Sequence, residues 1–170
     1  SLSTCLIALV VAGCAPVTAE RAPAAASIPV PPAGAGLADF FEQYDAAQLS
    51  LSPQSKAYRG IRDQDYGRWN DVGDEAEVAS HKLQQATAEA MRASFDPRTL
   101  SPDDALSFGL FNAQAERADR LFAFRDHAYI FDQMNGAQSR LPAFLINIHR
   151  VSSAAEAQAY VDRIRGLGPV

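Results

Sequence analysis

The chain has 170 residues, 48% of them hydrophobic and 21% charged, the mixture of a folded globular protein rather than of a disordered or collagen-like polymer. That length suits one domain, at roughly 100–200 residues each. The formal charge is −5 and no segment gathers five Lys and Arg, which argues against nucleic acid as a partner, since phosphate binding needs a basic face. Two cysteines exclude a disulfide-rich scaffold, and no Cys/His cluster has zinc spacing.

Residues 1–19, SLSTCLIALVVAGCAPVTA, carry no charge. Their apolar run, Leu6 to Ala12, is shorter than the ~20 residues a spanning helix needs. It fits the apolar region of a secretory signal whose basic start is missing. Val11-Ala12-Gly13-Cys14 resembles the lipobox of bacterial lipoproteins, in which the cysteine thiol receives a diacylglyceryl group before cleavage. The expected organisation is a signal peptide over 1–13, a lipidated Cys14, and a tether over 14–36. In the tether, Pro23, Pro29, Pro31 and Pro32 favour extended geometry. Acyl chains on Cys14 would anchor the protein to a membrane, each buried methylene contributing about 0.8 kcal/mol. The protein would then face the periplasm or the cell exterior. Ala at position 15, by resemblance to sorted lipoproteins, leans toward an outer membrane. The other readings are an ordinary signal, or an apolar helix, in which Cys14 is incidental.

The folded part is expected over 37–170. Leu37, Phe40, Phe41, Tyr44 and Leu51 lie on one helical face, predicting a helix over 37–49 that Ser52-Pro53 ends. Residues 54–73 have no sustained period and read as an ordered loop with Tyr58, Ile61, Tyr66 and Trp69 tucked inward. Asp74 with Glu77 forms a capping-box-like pair opening a helix over 75–95, whose apolar face is Ala76, Ala79, Leu83, Ala86 and Ala90. Ser101-Pro102-Asp103-Asp104 starts a helix that should run to Phe124. It has Leu106, Leu110, Ala113 and Leu121 on one side, with Phe108, Phe111, Ala115, Ala118 and Phe122 beside them. So broad a stripe predicts more than one packing neighbour. Residues 125–140 suggest a short extended segment or turn around Asn135-Gly136, and 141–148 a short helix with Pro142 in its first turn. Ser153 with Glu156 caps a last helix over 154–165, presenting Ala157, Tyr160, Val161 and Ile164, and Gly166 stops it. The fold class is all-α, an array of about four to five helices.

His81, His127 and His149 belong to no His-Glu-x-x-His pair. Glu77 and His81 share a helical face and read as a solvated pair; His127 and His149 read as structural or surface histidines. Asp63, Asp65, Asp71 and Asp74 are spaced like a calcium loop, but the sixth and twelfth positions counted from Asp63 are Arg68 and Asp74, not glycine and glutamate. There is no nucleophile elbow, phosphate loop or dinucleotide fingerprint.

The order of features carries a resemblance that no single motif does. Leu37-Ala-Asp-Phe-Phe-Glu-Gln-Tyr44, Leu51-Ser-Pro53, Gly60-Ile-Arg-Asp-Gln-Asp-Tyr66, Leu100-Ser-Pro-Asp-Asp-Ala-Leu106, Phe131-Asp-Gln-Met-Asn-Gly136 and Ala154-Ala-Glu-Ala-Gln-Ala-Tyr160 follow one another. From Leu37 onward, the chain resembles the N-terminal part of the bacterial family called domain of unknown function 885. Members are longer, mostly helical and often secreted or lipid-anchored, and their later half carries a His-Glu motif similar to that of zinc carboxypeptidases. The resemblance implies a peptidase-like protein whose zinc and general base lie in a C-terminal part outside this sequence, so no zinc ligand or catalytic residue is carried onto any position here. It also implies a peptide substrate, a helical wall beside the substrate cleft, and Gln133, Met134, Asn135 and Gly136 as the residues nearest that cleft. Asn135 stands where many relatives have glycine. The alternative function is a non-catalytic envelope lipoprotein that serves as an interaction or assembly module.

Overall fold

Six α-helices and one 3-10 turn make up the regular structure of the described residues, 35–127 and 129–167, of the computed structural model. Cys14, the signal before it and the tether up to residue 34 lie outside them. No strand occurs among the described residues, so the architecture is all-α with one helix more than the upper expectation. None of the helices is long and apolar enough to cross a membrane.

The extra helix is α2. After α1 (Leu37–Ser50), the Ser52-Pro53 pair opens α2 (Pro53–Tyr58) instead of merely closing α1. The Ser52 hydroxyl accepts from the Ser55 N–H at 3.3 Å, while Pro53 takes the first position, where its missing N–H costs nothing. The bidentate Arg59–Asp45 pair, at 2.5 and 2.7 Å, ties the end of α2 to α1.

Two helices of 21 residues each, α3 (Asp74–Ser94) and α4 (Pro102–Phe122), form an antiparallel hairpin. Its direction follows from the contacts: Arg92 meets Asn112, Gln85 meets the Ala115 carbonyl, and Asp74 meets Arg125. At the start of α3 the cap is Gly73 and Asp74 is already helical, so the expected Asp74 cap is not formed. Ser101 does cap α4, accepting from Asp104 N–H at 3.2 Å. α1 lies across the hairpin, its Phe40 fully buried beside Met91, Ala88, Phe108, Phe111 and Ala115. Edge-on rings lock this crossing, Phe40 against Phe95 at 5.8 Å and Tyr44 against Phe111 at 5.1 Å.

The buried faces differ from those the sequence pattern suggests. α3 buries Leu83, Thr87, Ala88 and Met91, and Ala79 is exposed. The Thr87 hydroxyl donates to the Leu83 carbonyl at 2.7 Å, so the polar atom enters the core already paired. α4 buries its phenylalanine side alone. Leu106, Leu110, Leu121 and Phe124, just past its end, are 63%, 55%, 54% and 62% exposed. α4 does meet two neighbours, α3 and α1, as its broad stripe predicts, but neither covers these side chains.

A 3-10 turn (Arg125–His127) follows α4. α5 (Ala137–Asn147) starts at Ala137 rather than at Leu141, capped by Gly136, with Pro142 inside the helix. α6 (Ala154–Arg165) begins at Ser153 as expected, the serine accepting from Glu156 N–H at 3.2 Å. α5, α6, α2 and the turn between α2 and α3 share a second, smaller core of Ala57, Tyr66 and Phe144, with Trp69, Ile148 and Ala159 against it.

Candidate functional site

The residues expected nearest a cleft form a tight turn before α5. Asp132 Oδ1 accepts from the Met134 and Asn135 N–H groups at 2.7 and 2.5 Å, and Gln138 donates to the Asp132 carbonyl. Gln133, Met134 and Asn135 are exposed, whereas Gly136 is buried. A Cβ at Gly136 would stand 2.5 Å from Asp132 N, so glycine is a packing requirement here. Tyr129, Ile130 and Phe131 beside the turn are also exposed.

The polar chemistry inside the protein is gathered elsewhere, where α6 meets the turn after α2. Arg163 is 0% exposed, and its guanidinium carbon lies 4.4 Å from the Phe144 ring, 5.3 Å from Trp69 and 5.6 Å from Tyr66. Nε, Nη1 and Nη2 have no hydrogen-bond partner among the described residues. Ring quadrupoles thus hold the cation. Burial lowers its pKa, but from a value so high that the group stays charged. Trp69 Nε1–H donates to the Arg163 carbonyl at 2.8 Å.

His149 is buried in the same packet, over Tyr66 at 4.3 Å and edge-on to Tyr160 at 5.2 Å. Nε2 faces the Glu156 carbonyl at 3.2 Å. A carbonyl only accepts, so Nε2 carries the proton and Nδ1 is the bare nitrogen, buried without a partner. Burial above all holds the imidazole below its ordinary pKa. Sequence periodicity assigned α6 the face Ala157, Tyr160, Val161 and Ile164; Tyr160 does turn inward, but its companions are Ala159 and Arg163, and Ala157, Val161 and Ile164 are exposed. The signal that could have found this packet is the density of rings between Tyr58 and Trp69, with an arginine in helical register with Ala159 and Tyr160.

The remaining candidates separate. Asp63 and Asp65 bracket the Lys56 ammonium at 2.9 and 2.6 Å, Asp71 accepts from Gly73 N–H, and Asp74 pairs with Arg125. The four carboxylates therefore make no common loop. His81 does not pair with Glu77; it stacks on Phe122 at 3.9 Å, and its Nε2 lies 3.4 Å from Asp119 Oδ1. His127 is exposed. A shallow depression of about 300 Å³ between the 63–68 turn and α6 is lined by Asp63, Gln64, Arg68, Gln158 and Asp162 among others. No group of three or more His, Cys, Asp and Glu able to hold a metal occurs among the described residues.

A family model described as a bacterial protein of unknown function, DUF885, matches residues 53–170. The chain belongs to the DUF885 family. The matched part begins at the first residue of α2, so it takes in the α3–α4 hairpin and the Arg163 packet, whereas α1 lies before it. No curated protein and no solved structure matches the chain.

Proposed function

We propose that this chain is the N-terminal helical scaffold of a longer, exported DUF885 protein of the zinc-peptidase kind, anchored by lipid on Cys14 and without hydrolytic activity by itself. The observation that carries the reading is the outer face of α4. Leu106, Leu110 and Leu121 on α4, and Phe124, Tyr129, Ile130 and Phe131 after it, are all exposed. Large apolar side chains exposed in this number point to a contact with another body. A C-terminal part of the same polypeptide would cover them. Family membership supports the same reading through the resemblance described above.

The described residues do not fit a zinc site, since their histidines and carboxylates are scattered over separate partners. Their role on this reading is to build a wall, with Gln133, Met134, Asn135 and Gly136 at its cleft edge and a peptide as the substrate. The test is to translate the genomic DNA beyond the codon for Val170. A frame that continues into a His-Glu motif is the expected result; an immediate stop codon overturns the reading and favours an interaction module that uses the same α4 face.

A further inference from the structure

Two nitrogen-bearing side chains share the second core, and neither has a counter-charge inside it. Arg163 is satisfied only by ring faces, while His149 has one nitrogen on a carbonyl and the other bare. The titratable and charged groups around the imidazole come from three places. α6 supplies Arg163, Glu156 and Tyr160; the turn supplies Arg62 and Tyr66; Arg150 follows in the chain. The carboxylate among them is already engaged, Glu156 accepting from Arg62 Nη1 at 2.8 Å and from Ser152 N–H at 2.5 Å. The Tyr66 hydroxyl is held by the Arg150 backbone.

We infer that His149 is an acid-released latch that holds α6 on the Tyr66–Trp69 turn. A second proton, on Nδ1, would find no acceptor, and the new charge would stand in one packet with an unneutralised guanidinium. The closed form therefore keeps the ring neutral. Burial is the main cause of its lowered pKa, and the charges of Arg163 and Arg62 act in the same direction, against the Glu156 carbonyl and the Glu156 carboxylate charge. When α6 lifts, the imidazole meets water and takes its proton at the ordinary value of about 6.5. The sign follows. Above that value the latch is fully closed. Below it the open form gains up to about tenfold per pH unit, until the lowered native value is reached. Opening breaks the bond from Trp69 Nε1 to the Arg163 carbonyl and separates Gly67 from Ala159, which pack so closely that a Cβ on Gly67 would lie 3.1 Å from Ala159 Cα. The latch stands independently of the scaffold reading.

Amide hydrogen exchange on the full chain, corrected for intrinsic rates, tests this between about pH 7.5 and about pH 5. The expected result is that protection of residues 154–165 falls over the acid half of that range, by up to about tenfold, while 74–94 and 102–122 keep theirs. His149→Gln can still donate to the Glu156 carbonyl but does not titrate, and should flatten the α6 response. Should that variant fail to fold, the His149 ring-proton NMR titration of the unmodified chain decides: a native pKa below about 6.5 supports the latch and one at or above it overturns it. The latch is also overturned by α6 protection that is unchanged in acid, by loss spread equally over α3 and α4, or by a folded His149→Gln chain that keeps the pH dependence.

Discussion

Tyr66 and Arg150, 84 positions apart, close a two-bond clip: the phenol oxygen accepts from the Arg150 N–H at 2.8 Å and its hydroxyl donates to the Arg150 carbonyl at 3.1 Å. The clip fixes the junction between α5 and α6 onto the turn after α2. Tyr66→Phe keeps the ring over His149 and strands both backbone groups. The expected loss is about 0.5–1.5 kcal/mol, the net worth of a part-buried hydrogen bond whose backbone groups water can reach, read as a lower urea midpoint with an unchanged slope.

Phe40 anchors α1 to the hairpin from full burial, with Phe41 and Phe95 rings around it. Phe40→Ala should cost about 3–5 kcal/mol, lost transfer energy plus the cavity left behind. Denaturant titration checks it, and a loss below about 1 kcal/mol would mean that α1 is not part of the cooperative core.

One substitution at two glycines should have opposite signs. At Gly136 a Cβ meets the Asp132 backbone at 2.5 Å, and at Gly109, inside α4, it meets nothing within 4 Å. Gly136→Ala should destabilise by about 1–3 kcal/mol through forced backbone movement. Gly109→Ala should stabilise by about 0.5–1 kcal/mol through helix propensity. Thermal melts of the two variants side by side decide it.

The outer leucines of α4 carry little of this chain's own stability. Leu106→Gln, Leu110→Gln and Leu121→Gln should each change it by no more than about 0.5 kcal/mol, as surface substitutions do. The same changes should weaken binding of a hydrophobic dye in proportion to the apolar area removed. A large destabilisation by any one of them would show that the face is packed.

Helix starts were legible wherever a serine cap and a first-turn proline stood before a clear apolar stripe, as at Ser101-Pro102. The same dipeptide at Ser52-Pro53 reads as a break, because the short α2 has too few residues to show a period; both serines cap. Faces were less legible than elements. Thr87 counts as polar in any periodicity, yet its back-bond to Leu83 lets it be buried. Arg163 is invisible to an apolar pattern, because the rings that hold it lie between 66 and 144 in sequence. The turn at Gln133, Met134, Asn135 and Gly136 is legible as a turn from Asn135-Gly136.

The account rests on the α4 stripe being covered in a longer polypeptide. A Leu110→Cys probe, in a background with Cys5 and Cys14 replaced by serine, measures that cover through its rate of thiol modification. The account predicts modification as fast as a free exposed thiol in this chain, slowed by at least about tenfold in the longer polypeptide, since reactivity follows access. Equal rates in the two would contradict it.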